Sequence, residues 1–516
     1  MRLNILIGGR AGQGINKVSQ IVSRVLNKRG YYTFNYRDYP SLIRGGHNFN
    51  ILSISDKKIG SHESKLDFII ALDEKTVELH KKELKKEGVV IGCNEFCDIG
   101  RNANIAQAGA LIKILGIENS ALIDEIKKEF GENKEAFDAA EKGYKSKKSI
   151  FNLPKLKNQI TIISGSQAIS QGAINSGINL YIAYPMTPAT AVMHELAAKE
   201  TENGHIVFEA ENEISVANAG LGASFAGAKV MVGTSGGGYD LMTEALSFQG
   251  MAEIPLVVYL ASRPGPGTGI PTYSLQDDLD IALRGGHGEF PRIVIAPGDP
   301  IECIEKTNEA FYLSEKFNVL SIILSDKHLA ESEFSTDGKL NKILDVKVKR
   351  KVPGEGIIKA TSYEHDKFGN TTESPGIAKI AADNRLKKYE EIKKECKKME
   401  MIKIFGNPKA KNLIIGWGST KTVILDALDS IDSSIENQSK GKWKFLQVLY
   451  MKPLSDEIKK EIEKANKVIL VEQNVTGQLG RLIREKTGIA IKNRILKYDG
   501  KPFTSDELKE EILDIK

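Results

Sequence analysis

Six short apolar runs, at 160–164, 179–184, 229–233, 256–261, 292–296 and 319–324, alternate with longer stretches of helical character, and no other feature constrains the fold as strongly. Runs of this length rich in Ile and Val read as buried strands. When strands alternate with helices they build a mostly parallel sheet, because the crossover between parallel neighbours needs about a helix's length. The same grammar opens the chain. Residues 3–9, LNILIGG, form a strand entering a glycine turn, after which Ile15, Val18, Ile21, Val22, Val25 and Leu26 recur at helical spacing up to Gly30, a helix-ending residue. Further strands are expected at 50–54, 68–72 and 89–91, and a third α/β pattern starts at Lys411, with strands at 443–449 and 467–472.

A chain of 516 residues exceeds what one hydrophobic core holds. The expected class is α/β with three α/β domains, at 1–150, 151–335 and 406–516. A lysine- and glutamate-rich helical connector over 121–158 separates the first two, and a charged linker at 336–405, with an exposed helix around 385–398, separates the last two.

Composition removes several functions. Lys plus Arg exceeds Asp plus Glu by 72 to 67, too thin a surplus for a nucleic-acid track, and runs such as Lys81–Glu87 mix both signs. No apolar run approaches the roughly 18 residues of a membrane span, and the first residues lead into a strand instead of a signal peptide, so a cytoplasmic location is expected. The four cysteines, Cys93, Cys97, Cys303 and Cys396, fit no disulfide framework and are expected as free thiols; Cys93 and Cys97 lack the further ligands a metal site needs.

Five segments carry chemistry. Gly8 to Gly14 (GGRAGQG) lies where a strand passes into a helix, a geometry that holds an anion and equally permits a tight turn with close helix packing. Tyr184-Pro185-Met186-Thr187-Pro188 follows a strand and holds the Thr187 hydroxyl where open α/β sheets bind ligands, although a rigid turn has the same form. Glu209, Glu211 and Glu213 precede a helix of Ala, Gly and Ser that admits a flat ligand or a tightly packed neighbour. A glutamate at its head is either a desolvated proton donor or a carboxylate stabilising a helix N-terminus. Thr234-Ser235-Gly236-Gly237-Gly238 is a second strand-to-helix anion loop. Arg263 opens a Pro- and Gly-rich loop suited to capturing a carboxylate, or pairs on the surface with Asp277 or Asp278.

In this order the segments resemble the alpha subunit of 2-oxoacid:ferredoxin oxidoreductases, in the arrangement with the gamma domain fused ahead of it, over nearly the whole chain. GGRAGQGI with Arg44-Gly45-Gly46-His47 is similar to the gamma domain, and YPMTP to the family's YPITP. ENEISVANAGLGASFAGA resembles its catalytic-glutamate helix, and RPGPGTGIPT with Gln276 and Asp278 resembles its RxGPSTGxPT loop. Glu364-His365-Asp366 to Gly369, and Glu472-Gln473-Asn474 to Gly477-Gln478-Leu479, complete the match.

The resemblance implies a Rossmann-like gamma domain, a thiamine-diphosphate pyrimidine-binding domain and a transketolase C-terminal-like domain. It implies oxidative decarboxylation of a 2-oxoacid, 2-oxoglutarate or a broad range, to acyl-CoA and CO2, with coenzyme A as co-substrate and electrons passing to ferredoxin. Glu213 takes the position of the glutamate that hydrogen-bonds N1′ of the aminopyrimidine and promotes deprotonation of C2. Arg263 would hold the substrate carboxylate with Thr187 beside it. Tyr184, Pro185, Thr234, Ser235 and Gly236 would line the cofactor pocket, and Gly9, Gly12 and Gly14 would meet phosphates of coenzyme A. The chain has neither the GDG-to-Asn segment that binds Mg2+ and diphosphate nor a cysteine array for a [4Fe-4S] cluster; the family carries both on a beta subunit, the expected heterodimer partner. Gly267 stands where the family has serine, beside Arg263. Two other readings are a nicotinamide-dependent Rossmann oxidoreductase, which lacks its G-x-G-x-x-G here, and a non-catalytic scaffold, which would not be expected to retain Glu213 and Arg263.

Overall fold

The computed structural model describes every residue except 43–44, 342, 434–440 and 516. Arg44, the first residue of the RGGH motif, therefore lies outside the described residues. The chain forms two compact units, one of residues 1–163, 332–338 and 504–510, the other of 164–331, 339–503 and 511–516.

The first unit is built on a mixed seven-stranded sheet ordered Leu84–Ile91, Leu66–Ala71, Arg2–Gly9, Asn48–Ser55, Tyr32–Asp38, Glu333–Thr336 and Thr161–Ser164. Arg2–Gly9 runs parallel to Leu66–Ala71 and antiparallel to Asn48–Ser55. Helix Ile15–Lys28 buries Val18, Ile21, Val22, Val25 and Leu26 in its core, and Gly30 follows its last turn at φ 85°, with its amide on Asn27 O. Strand Tyr32–Asp38 was not anticipated, although Tyr32, Phe34 and Tyr36 alternate with Thr33, Asn35 and Arg37 at the period of a strand.

The expected connector over 121–158 is instead part of this core. Helices Asn119–Phe130 and Lys134–Lys145 bury Leu122, Ile126, Ala136, Ala139 and Ala140. Their apolar signal is weak because the contact is made by backbone: a Cβ at Gly143 would lie 1.8 Å from Ala106 O, and one at Gly109 would lie 2.1 Å from Ala140 O. Strand Thr161–Ser164, expected to open the central sheet, is an edge of the first sheet.

The second unit holds two sheets. The larger is ordered Tyr450–Lys452, Arg292–Ile295, Leu320–Asp326, Leu256–Ser262, Val230–Thr234, Leu180–Ala183 and Ile206–Glu209, parallel except for the antiparallel strand Tyr450–Lys452. Strand Ile206–Glu209 escaped the reading because it is only four residues long, and Ile206 and Phe208 are exposed at the sheet edge. The smaller sheet runs Ile402–Gly406, Trp443–Val448, Asn412–Trp417, Lys467–Glu472 and Asn493–Leu496, with only the first strand antiparallel to its neighbour. The charged stretch between the two sheets contains the 22-residue helix Pro375–Cys396, which begins ten residues before the expected one and buries Ile392 and Cys396. The four cysteines are free thiols.

Candidate active site

Strand order fixes where a ligand fits. The chain leaves Leu180–Ala183 for the edge strand Ile206–Glu209, then crosses to the other side of Leu180–Ala183 to form Val230–Thr234. That reversal opens a crevice beyond the carboxyl ends of these two strands, the position where open α/β sheets bind ligands. Tyr184–Pro188, Asn212–Glu213, Ser235–Gly238 and Arg263 each follow one of the four neighbouring strands and meet at this edge.

Glu213 is the first residue of helix Glu213–Phe225, whose N-cap Asn212 accepts a hydrogen bond from the Ser215 amide at 3.0 Å. Its side chain is 3% exposed, and Oε1 has no hydrogen-bond partner among the described residues. A buried carboxylate without a partner is costly, and native structures keep few of them. The small residues that follow bring the helix close to the sheet: a Cβ at Gly220 would lie 2.9 Å from Val232 Cγ1.

Helix Gly236–Ala252 begins directly beside this carboxylate. A Cβ at Gly238 would lie 2.5 Å from Glu213 Oε1 and 2.2 Å from Thr234 Oγ1, and one at Gly236 would lie 2.4 Å from Asp278 Oδ1. Thr234 and Ser235 are fully buried, and the Ser235 hydroxyl has no partner among the described residues. Gly236 and Gly238 thus let the helix end pack directly against two carboxyl groups and the Thr234 hydroxyl, closer than any side chain would allow.

Arg263 is half-buried, and its Nη1 donates to the backbone oxygen of Thr187 at 3.0 Å, which joins the loops after Leu180–Ala183 and Leu256–Ser262. Thr187 therefore meets Arg263 through its carbonyl. Burial lowers the guanidinium pKa from its ordinary value, opposed by the negative charges of Asp278 and Glu213. The surface pairing with Asp277 or Asp278 is not formed: Asp277 instead accepts from the Gly265 amide at 3.2 Å. Burial, reinforced by Asp277 and Asp240, pushes the Asp278 carboxyl up to about 7, against the Ser262 hydroxyl and Arg263. Asp278 Oδ2 has no hydrogen-bond partner among the described residues.

The Arg263 loop is held from behind by residues whose role sequence reading did not reach. Gln276 exchanges two bonds with the Gln473 backbone, at 2.7 and 2.9 Å, and donates to Trp417 O at 2.8 Å. Gln478 donates to Asp277 O and accepts from the Asp280 amide. Beneath them the fully buried Glu472 accepts from Trp417 Nε1, Asn474 Nδ2 and the amides of Leu479 and Gly480, all at 2.8–3.1 Å. The EQN-x-x-GQL motif is thus a latch on the segment carrying Asp277 and Asp278. Glu364 of the other C-terminal motif pairs with Arg385 at 2.8 Å, and Asp366 caps a turn closed by Gly369 at φ 76°.

Gly9, Gly12 and Gly14 belong to the first unit and to a loop that largely satisfies itself. Gln13 Oε1 accepts from the Arg10 amide at 2.6 Å, Gln13 Nε2 donates to Leu72 O, and Asn104 donates to Gln13 O. A Cβ at Gly9 would lie 2.8 Å from that of Leu72, and Gly12 and Gly14 have φ of 93° and 82°, so the loop turns tightly and packs closely at Gly9. His47 Nε2 lies 2.8 Å from His80 Nε2.

A doubly wound sheet with a buried glutamate at its switch point, one oxygen of which has no hydrogen-bond partner among the described residues, defines a ligand-binding α/β protein of the open-sheet class. Residues 171–401 match the family model described as pyruvate flavodoxin/ferredoxin oxidoreductase, thiamine diphosphate-binding, and residues 4–97 match pyruvate ferredoxin/flavodoxin oxidoreductase. The 2-oxoacid:ferredoxin oxidoreductase subunit alpha of a Sulfolobus species is 30% identical over 627 aligned positions, which cover all of this chain and 97% of the relative. Subunit alpha of the Sulfurisphaera tokodaii enzyme is 29% identical, covering 100% and 98%. Among solved structures, the 2-oxoglutarate:ferredoxin oxidoreductase of Magnetococcus marinus, with 2-oxoglutarate, coenzyme A and succinyl-CoA bound, superposes with a TM-score of 0.88 at 26% identity over 99% of both chains. The chain belongs to the 2-oxoacid:ferredoxin oxidoreductase family and corresponds to its alpha subunit.

Proposed function

We propose that this chain supplies the aminopyrimidine end of a thiamine-diphosphate site for oxidative decarboxylation of a 2-oxoacid, with 2-oxoglutarate or a broad range of oxoacids as substrate. The buried Glu213 Oε1, without a hydrogen-bond partner among the described residues, carries this reading: a ring nitrogen that shares a proton is the partner such a carboxylate lacks. When bound, the cofactor supplies a carbon nucleophile and an electron sink for loss of CO2. Glu213 holds the proton at the ring nitrogen. Gly236 and Gly238 let the helix end reach the acid that orients the ring, and the Thr234 and Ser235 hydroxyls lie at the same helix start. Arg263, positioned by Thr187 O, binds the substrate carboxylate, and the Pro- and Gly-rich loop covers it from water.

The diphosphate end, Mg2+ and a [4Fe-4S] cluster are assigned to a beta subunit, with electrons leaving to ferredoxin and coenzyme A taking the acyl group. Tyr184, Ile214, Leu241 and Ile270, on four of the elements that build the site, are each 40–51% exposed, an apolar rim of the kind that a partner chain covers. The Gly9–Gly14 loop is the proposed contact for coenzyme A phosphates. No helix among the described residues is long and apolar enough to cross a membrane, and the proposed location is the cytoplasm.

The test is co-expression with the beta subunit and anaerobic, coenzyme-A-dependent reduction of a viologen dye with a panel of oxoacids. Glu213→Gln should lower turnover roughly a hundred- to ten-thousandfold with the heterodimer intact. Unaltered turnover would remove Glu213 from the mechanism.

A further inference from the structure

A second cavity, of about 540 Å3, lies away from the Glu213 crevice, and Phe290, Pro291, Leu386 and Tyr389 form its apolar walls. The side chain of Lys452 opens into it. Lys452 sits opposite Val294 in the antiparallel pair of strands Arg292–Ile295 and Tyr450–Lys452, so it shares a sheet face with Arg292 two residues along. Arg292 is 3% exposed, stacks on the Phe290 ring at 4.4 Å, and leaves its Nε without a partner. Neither cation has an ion pair among the described residues; Lys452 Nζ makes only a 3.4 Å contact with Leu283 O, and Arg292 a 3.4 Å contact with Ala282 O.

The charges around the amine are unbalanced. Arg292, Lys486 and Arg284 all act on it with positive charge, and Glu485 opposes them while already engaged by Arg284 and Lys486. At the cavity wall Arg385 is paired with Glu364, Asp383 with Lys379, and Glu289 is exposed. Burial, then these cations, bring the Lys452 pKa down to about 8. The result is an amine with a reactive neutral fraction near neutral pH, at a cavity with aromatic and aliphatic walls and on the same sheet face as a buried arginine that has no ion pair among the described residues.

We propose that Lys452 is a carbamylation site, at which the ε-amine adds carbon dioxide inside the cavity and the resulting anion is held by Arg292 and its cationic neighbours. The nitrogen lone pair forms the new N–C bond, one C=O electron pair moves onto oxygen, and one N–H proton passes to solvent. No redox partner is involved. The addition turns a cation that repels Arg292 into an anion that pairs with it, and the neutral, apolar reactant suits the aromatic walls. Carbon dioxide is also the product assigned to the proposed reaction; a role in product sensing rests on that reading, whereas the modification does not.

The test treats the full-length chain, without oxoacid or thiamine diphosphate, with 13C-bicarbonate, traps carbamates with triethyloxonium and maps them by peptide mass spectrometry. Failure here would therefore leave the oxidoreductase reading untouched. The label is expected on Lys452, absent in Lys452→Arg, and roughly fivefold stronger at pH 8 than at pH 7 at fixed dissolved carbon dioxide, as the neutral fraction of an amine titrating near 8 requires. Lys486→Gln, which removes an exposed positive charge and leaves the cavity intact, should reduce the label at pH 7 about twofold. An unlabelled Lys452 at pH 8, while glycine amide in the same tube is labelled, overturns the proposal, as does a label indifferent to both pH and Lys486.

Discussion

The carboxyl group of Glu213 lies against the α-carbon of Gly238, so closely that a methyl group there would approach Oε1 to 2.5 Å. Glu213 begins one helix and Gly238 lies in the first turn of the next helix along the chain, and only glycine allows the acid and the helix end to share this space. Gly238→Ala should therefore displace the acid, destabilise the protein by about 1–3 kcal/mol and abolish oxoacid-dependent dye reduction. Thermal unfolding alongside the dye assay checks this; a fully active, equally stable variant would show that the space is not used.

Arg263→Lys keeps the charge and loses the planar fork that reaches both Thr187 O and a carboxylate. The KM for the oxoacid should rise at least tenfold, with a smaller change in kcat. Equal KM values for the two proteins would place the substrate carboxylate elsewhere.

Asp278 provides a pH signature. Its folded pKa of about 7 lies above the ordinary 3.8 of a free aspartate, so the unfolded chain releases this proton first as pH rises. Its contribution to stability is complete below about pH 4 and is lost as pH rises to about 7. Asp278→Asn cannot ionise, so melting temperatures measured at pH 5 and pH 8 should differ less in the variant than in the wild type.

Glu472 lies outside the crevice and should nevertheless affect it. Glu472→Ala leaves the Trp417, Asn474, Leu479 and Gly480 donors buried without an acceptor, a loss on the order of 3 kcal/mol. Because the same motif anchors Gln276 and Asp277, the variant should also raise the KM for the oxoacid. A purely thermal defect with unchanged KM would break the link between latch and loop.

The chain's own order of residues determined the α/β class, most strands of the central sheet and the segments that would carry chemistry. Each is a local signal, an apolar run, a glycine turn or a small-residue helix, and local signals survive in one dimension. Strand Ile206–Glu209 escaped it because it is short and exposed at the sheet edge, and the 121–158 helices escaped it because glycine and alanine pack backbone against backbone, whereas the aromatic–polar alternation of Tyr32–Asp38 is a local signal that sequence does carry. Tertiary structure alone decided that Glu213 Oε1 is buried without a hydrogen-bond partner among the described residues, that Arg263 binds Thr187 O instead of an aspartate, and that Gln276 is fastened to Gln473, 197 residues away. Those outcomes depend on which groups are brought together by distant parts of the chain and on which of them water no longer reaches, and neither leaves a periodic trace in sequence.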